Sequence, residues 1–152
     1  MVVDMLASLL EELSNIVHFP LRPDSNNSCL LRMPTGLQVQ LEIYKGSDFL
    51  IGADLGNVPV GRYREDLFKE ALKANYLPPP RYGIFAYTQQ KDSLILFSLL
   101  PLEDLTGEKI AAHLLPFTQK ALQWQQAIRR GDIPVIEEAS QSAAPLGRLF
   151  GL

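Results

Sequence analysis

Side chains that could serve as nucleophiles, general bases or metal ligands are few and widely separated in this sequence. The two histidines, His18 and His113, have no cysteine or carboxylate at the spacing of a metal site. Cys29 stands between Ser28 and Leu30 in an apolar stretch, which is typical of a small buried side chain rather than of an activated thiolate. These residues therefore indicate neither a metal site nor a catalytic nucleophile.

Glycines could hold the phosphates of a cofactor, and Gly52, Gly56 and Gly61 fall within one short segment, GADLGNVPVG. Their spacing is not that of the dinucleotide-binding fingerprint, and Pro59 would interrupt the helix that this fingerprint requires. The chain also contains no nucleophile-elbow or phosphate-loop pattern. The sequence therefore predicts a protein that is not an enzyme and that needs no cofactor.

The composition is that of an acidic, folded, single-domain protein. Of the 152 residues, 47% are hydrophobic and 20% are charged, as in ordinary globular chains. The 14 basic residues against 17 acidic ones give a net charge of −3. Because no basic stripe is available to bind phosphates, we expect no nucleic-acid partner.

The segment MVVDMLASLLEELSNIVHF bears on the location of the protein. It has no basic start, and Asp4, Glu11 and Glu12 interrupt its apolar run, so neither an export signal nor a membrane span fits. A single cysteine gives no sign of an oxidising compartment. We therefore expect a cytoplasmic protein without membrane insertion, and we interpret the triplet starting at Asn26 as a turn rather than as a glycosylation site.

The elements that position these side chains follow from the spacing of the apolar residues. Three- and four-residue spacing predicts helices, and strict alternation predicts strands. The helices are predicted over 2–17, over 62–75 and between Thr106 and Gly131, and the strands over 28–33, 37–44, 48–55, 83–88 and 93–100. Pro116 predicts a kink or a break in the last helix. The order α-β-β-β-α-β-β-α predicts an α+β fold, an antiparallel five-stranded sheet with three helices over residues 1–131, followed by a flexible tail over 132–152.

The last two predicted strands are apolar on both faces. In the second of them, Leu94 and Leu96 oppose Ile95 and Phe97. A strand that is apolar on both faces has to be covered on both. The second helix and the loops could provide the cover, but we favour a second subunit, because large apolar patches are uncommon on a soluble monomer.

Several segments carry a resemblance to a known family. They are, in chain order, LLEEL, then LRPDSNNSCLLRM leading into VQLEI, then REDLFKEALKAN, and finally LTGEKIAAHLLPFTQKALQWQQAI followed by GDIP. In this order, over residues 5–134, they resemble the class I chaperones of bacterial type III secretion, the Tir-chaperone-like family, and look closest to its chlamydial members.

The resemblance implies a cytoplasmic bacterial protein of a virulence-associated secretion system. Such a chaperone would form a homodimer, or a heterodimer with a related chaperone. It would bind the N-terminal segment of a secreted effector in extended form and keep it export-competent, without ATP and without a catalytic residue.

On this hypothesis, an effector strand extends an exposed sheet edge while its apolar side chains enter pockets beside the first helix. We expect about half of the candidate pocket residues to belong simply to the core. The candidates are Leu6, Leu9, Leu10, Leu13, Val17, Leu30, Val39, Leu41 and Ile51.

The same hypothesis places the dimer interface on the second helix and the strand that follows it. The candidate interface residues are Tyr63, Leu67, Phe68, Leu72, Phe85 and Tyr87. Two alternatives remain open at this point. One is an α+β module that binds a small molecule or a lipid between the first helix and the sheet, and the other is a small enzyme with unrecognised residues.

Overall fold

A computed structural model describes residues 2–134 of the chain, with side chains from Met5 onward. The elements are α1 (Val2–Val17), β1 (Ser28–Arg32), β2 (Gln38–Tyr44), β3 (Asp48–Asn57), α2 (Arg62–Asn75), β4 (Ile84–Thr88), β5 (Ser93–Pro101) and α3 (Gly107–Arg130). They confirm the predicted α+β class and element order. Of the tail predicted over 132–152, residues 135–152 lie outside the described residues.

The five strands form one antiparallel sheet in the order β1-β2-β3-β5-β4. The first three strands are neighbours along the chain, whereas β5 lies between β3 and β4. Along β3 and β5, Asp48 is opposite Pro101 and Asn57 is opposite Ser93. This order leaves β1 and β4 as the two edge strands, and α2 packs beside β4.

One face of the sheet is covered by α1 and α3, which also pack against each other. The two helices approach closely at Gly107, where a Cβ atom would lie 2.6 Å from the Cβ of Glu12. The Gly107 N–H donates to Glu12 Oε1 at 3.0 Å. The core between these helices and the sheet contains Leu10, Leu13, Leu37, Val39, Leu41, Phe49, Ile51, Leu96, Ile110 and Phe117.

The last helix is continuous through Pro116, so the break allowed by the sequence does not occur. Thr106 caps its start, accepting a hydrogen bond from the Lys109 N–H at 3.2 Å. Gly131 ends it in the left-handed conformation, with a φ of 73°. No helix in the described part of the chain is long and apolar enough to cross a membrane.

Candidate functional site

The candidate pocket residues divide into an interior group and a surface pair. Only Val17 and Leu30 reach the surface, with exposed fractions of 38% and 44%. Because α1 lies directly on the sheet, the seven others fill the space between them. These buried residues are Leu6, Leu9, Leu10, Leu13, Val39, Leu41 and Ile51.

Exposed apolar side chains cluster at and just after the C-terminal end of α1, and Met5 is exposed near its start. Ile16, Val17 and Phe19 are all exposed there, where the helix gives way to the corner that leads into β1. Leu30 of β1 is exposed as well. Sequence reasoning missed Ile16 and Phe19 as surface residues, although Ile16 stands at the margin of the apolar stripe of the helix.

Two polar side chains fix the corner between α1 and β1. Ser14 Oγ donates to the Leu10 carbonyl at 2.7 Å and accepts from the Leu21 N–H at 2.9 Å. Asp24 Oδ1 accepts from the N–H groups of Asn26 and Ser28 at 2.8 and 3.1 Å. The polar run before Cys29 is therefore a turn that sets β1 beside the end of α1, as the sequence predicts.

The outer edge of β1 is partly unpaired within the described residues. The strand bonds to β2 on one side, with Cys29 opposite Leu41 and Leu31 opposite Val39. On the other side, Asp24 bonds both backbone groups of Ser28: its N–H donates to the Ser28 carbonyl at 2.7 Å, and its Oδ1 accepts from the Ser28 N–H at 3.1 Å. The outward backbone groups of Leu30 and Arg32 have no partner among the described residues. An unpaired edge of this kind can accept an additional strand.

The edge at β4 is different, because side chains already bind its backbone. Asn75, the last residue of α2, donates through Nδ2 to the Phe85 carbonyl at 3.0 Å and accepts the Phe85 N–H at 2.8 Å. Nearby, Lys120 Nζ donates to the carbonyls of Arg81 and Gly83 at 2.9 and 3.1 Å. The amide of Asn75 thus takes the place of a neighbouring strand.

The candidate interface residues on α2 and β4 also divide by burial. Leu67 and Phe85 are buried within the chain itself, and the Phe85 ring lies 4.2 Å from that of Trp124. Tyr63 and Phe68 are partly buried and Tyr87 is exposed, whereas Leu72 is 68% exposed. Leu72 is therefore the candidate with the most surface to offer a second subunit.

An arginine joins α2 to β4 and to the turn that follows it. The Arg64 guanidinium lies 4.5 Å from the centre of the Tyr87 ring and 5.3 Å from that of Phe68. It also lies 3.6 Å from the Asp92 carboxylate, which bonds the Tyr87 hydroxyl. These contacts hold α2 in a fixed position against the β4 edge.

The face of the sheet that α1 and α3 leave uncovered is partly apolar. Ile84, Ile95, Phe97 and Leu99 belong to it, and Ile84 and Leu99 are clearly exposed. This open face continues into a concavity of about 670 Å³, whose wall includes Leu30, Phe97, Gln125 and Arg129. The sequence predicts that β4 and β5 are apolar on both faces. Within the described chain, only the face on the side of α1 and α3 is covered.

The titratable side chains give no sign of catalytic chemistry. Burial raises the pKa of the Cys29 thiol, which disfavours its reactive thiolate. Burial likewise lowers the pKa of His113, whose Nε2 lies 2.7 Å from Ser98 Oγ. Among the described residues, no group of three or more His, Cys, Asp or Glu side chains could hold a metal ion.

A family model matches most of the chain. It is the model of the Tir chaperone protein (CesT) family, and it covers residues 8–125, from α1 to the second half of α3. The chain belongs to this family. Its membership confirms the resemblance carried by the sequence segments and the prediction of a type III secretion chaperone.

Solved structures share the fold of this CesT-family chain at low sequence identity. The complex of the Yersinia pestis type III secretion chaperone SycH with a stable fragment of YscM2 has a chain with a TM-score of 0.62 and 19% identity. The match covers 78% of this chain and 98% of that one.

Two further complexes agree with this result. A chain of the HopA1-SchA chaperone-effector complex has a TM-score of 0.66 and 15% identity, with 82% of this chain and 96% of that one covered. A chain of the ExoT-SpcS complex from Pseudomonas aeruginosa has a TM-score of 0.62 and 14% identity, over 78% and 96% of the two chains. At such identities the likeness establishes the shared fold, and no curated protein matches the chain significantly.

Proposed function

We propose that this protein binds the N-terminal segment of a secreted effector in extended form and keeps it competent for type III secretion. The observation that carries the proposal is the unpaired part of the β1 edge, together with exposed apolar side chains at the end of α1, in a CesT-family chain. An extended segment can form main-chain hydrogen bonds along such an edge while its apolar side chains contact the neighbouring helix. Binding of this kind needs no catalytic group, no cofactor and no ATP.

The proposed contact surface consists of Ile16 and Val17 at the end of α1 and Phe19 just after it. Leu30 faces the open side of the sheet, away from α1. The buried candidates, such as Leu10 and Leu13, support this surface from beneath and would meet a partner only if α1 moved. We place the activity in the bacterial cytoplasm, where an effector waits before export.

The complex recovered from a host that carries the secretion system provides the test. Tagged protein should retain an effector, and limited proteolysis should leave a resistant fragment of tens of residues from the N-terminal region of that effector. The Val17→Asp variant should lose the effector, while Leu115→Asp, at an exposed site on α3, should keep it. A captured partner that is fully digested, or one held through a folded domain, would contradict extended binding.

We further propose that the protein dimerises, with itself or with a related chaperone, through the candidate residues on α2 and β4. The support is the exposed apolar side chain of Leu72, together with that of Tyr76 one turn later. Because Leu67 is fully buried in its own chain, a charge there would disturb folding and dimerisation together. Leu72 is therefore the informative position.

Light scattering of the pure protein measures this directly. For the wild-type protein we expect twice the mass of one chain, which is 17.0 kDa. The mass of the Leu72→Asp variant should shift towards that of a single chain. The Leu115→Asp variant carries the same change on α3 and should remain dimeric. A wild-type monomer that stays soluble without a related partner would rule out the dimer.

A further inference from the structure

The outer edge of β1 offers its backbone groups at two residues. In an antiparallel pair, successive residues direct their N–H and carbonyl groups to opposite sides of the strand. Cys29 and Leu31 direct theirs to β2, whereas those of Leu30 and Arg32 point outward and have no partner among the described residues. An added strand could therefore bond both N–H groups and both carbonyls of these residues.

The chain itself closes this outward stretch at both ends. At one end, the Asp24 N–H donates to the Ser28 carbonyl at 2.7 Å, and Asp24 Oδ1 accepts from the Ser28 N–H at 3.1 Å. At the other end, the next outward position after Arg32 is Pro34, which has no N–H to donate. Main-chain pairing is thus confined to a pairing window, Leu30–Arg32.

The side chains of the window give it a chemical preference. Leu30 is 44% exposed and Arg32 is exposed, and both face the open side of the sheet, opposite to the buried Cys29 and Leu31. Arg22, the other arginine close to this edge in the sequence, bonds the Cys29 thiol through its backbone on the covered side. On an added strand, the neighbour of Leu30 is favoured when apolar and the neighbour of Arg32 when acidic.

The charges along the window run from acidic to basic. Asp24 lies beside Ser28 at one end, and Glu42 lies opposite Ser28 on β2. Arg32 lies at the other end, where it forms no ion pair with any described residue. An acidic side chain on a partner is therefore repelled at the first end and attracted at the second.

We propose that the pairing window selects an extended segment in which an acidic and an apolar residue stand two positions apart, the acidic one beside Arg32 and the apolar one beside Leu30. Asp24 and Pro34 prevent the segment from sliding along the edge. The inference rests on the proposed function, since it specifies which part of an effector the β1 edge accepts. Arg32 is then the residue that determines specificity at this edge.

A phage-displayed library of random linear peptides, selected on the full chain, tests the pattern. We expect the selected peptides to share an acidic residue two positions from an aliphatic or aromatic one. Selection on Arg32→Glu should replace the acidic residue by a basic one. Arg130→Glu makes the same change at an exposed site on α3 and should select the wild-type pattern. Peptides without this spacing, or the same peptides from Arg32→Glu, would overturn the proposal.

One selected peptide, synthesised with a fluorophore, gives the size of the effect by anisotropy. Its Kd should rise about fivefold in Arg32→Glu, because a favourable cross-strand charge pair becomes an unfavourable one. A peptide whose acidic residue is replaced by lysine should bind Arg32→Glu better than the wild type. Arg130→Glu should bind the first peptide as the wild type does. Equal Kd values for the wild type and Arg32→Glu would also overturn the proposal.

Amide hydrogen exchange, followed by NMR, locates the pairing on the strand. In the free protein, the N–H groups of Leu30 and Arg32 should exchange fast, whereas those of Ser28, Cys29 and Leu31 are bonded and should exchange slowly. With the same peptide bound, Leu30 and Arg32 should become protected and the other three should not change. Bound peptide that leaves Leu30 and Arg32 unprotected would place it elsewhere and contradict the window.

The complex recovered from the host separates this inference from the proposed function. The same exchange measurement on that complex should show protection of Leu30 and Arg32. An effector held in extended form without this protection would overturn the inference and leave the proposed function standing. An effector held through a folded domain would overturn both.

Discussion

The two edges of the sheet, β1 and β4, are built from similar short strands yet present opposite surfaces to a partner. At β4, the Asn75 amide bonds both the N–H and the carbonyl of Phe85, and α2 packs alongside. At β1, Asp24 bonds the N–H and the carbonyl of Ser28, but no helix packs alongside, and the outward backbone groups of Leu30 and Arg32 are unpaired within the described residues. One edge is thus closed by the chain itself, and the other is available for an added strand.

The difference shows how a small sheet can direct strand addition to one side. An exposed edge is a hazard unless it is blocked, because its unpaired backbone groups bind other strands without discrimination. At β4, the side chain of one residue, Asn75, bonds the outward N–H and carbonyl of Phe85. Under the proposed function, Ile16, Val17 and Phe19 would add apolar contacts to backbone pairing at β1.

The largest expected effect comes from the core beneath the β1 edge. Leu10→Ala should lower the free energy of unfolding by about 2–5 kcal/mol, since it removes a fully buried side chain between α1 and the sheet. Effector capture should fall together with stability. Chemical denaturation followed by circular dichroism measures the first quantity and pulldown the second. If capture fell while stability held, Leu10 would be a contact residue after all.

A smaller effect is expected at the closed edge. Asn75→Ala removes both bonds to Phe85 and should lower the unfolding free energy by about 1–3 kcal/mol. The variant should also associate more readily, because β4 becomes a second unpaired edge. Asn26→Ala, at an exposed turn position, is the matched control and should leave both properties unchanged. Unaltered association of the Asn75 variant would show that α2 alone closes this edge.

The open edge should respond in binding rather than in stability. Val17→Ser should change the unfolding free energy by no more than about 0.5 kcal/mol, as is usual at the surface, and should weaken effector capture. Thermal melts and pulldowns on the same preparation give both values. Leu115→Ser, at an exposed site on α3, is the control and should retain capture. Loss of stability without loss of capture would reverse the assignment of Val17.

The smallest expected effect concerns His113 of α3, which contacts Ser98 on β5. Burial lowers the pKa of His113 from its ordinary value of 6.5, so the folded state disfavours the protonated ring. The contribution of the neutral His113 ring to the free energy of unfolding is complete above pH 6.5. It is lost as the pH falls below 6.5 towards the lowered pKa, because the unfolded chain then binds the proton before the folded chain does.

His113→Gln should therefore reduce the pH dependence of the unfolding free energy in this range. Denaturation curves at several pH values, with His18→Asn as the exposed control, measure the change. An unchanged slope in the His113 variant would mean that carboxylates alone cause the acid sensitivity.

Much of the fold could be predicted because its signals are local. Alternation in QVQLEIY and the three- and four-residue spacing in α1 depend only on which neighbours share a face, so their boundaries agree with the structure to within a few residues. The Thr106 cap and the Gly131 stop likewise depend on residues within one turn. The order of segments was enough to indicate the family.

The sequence by itself could not decide which apolar residues remain accessible. Leu13 and Val17 belong to the same stripe of α1, yet Leu13 is fully buried and Val17 is exposed. Likewise, the pattern of α2 does not reveal that Asn75 reaches across to Phe85 and closes the β4 edge. Helix and strand periodicity follow from contacts a few residues apart, whereas accessibility depends on strand order and on the packing of distant elements. The sequence therefore determined the elements and the family, and only the tertiary structure decided which apolar residues remain accessible.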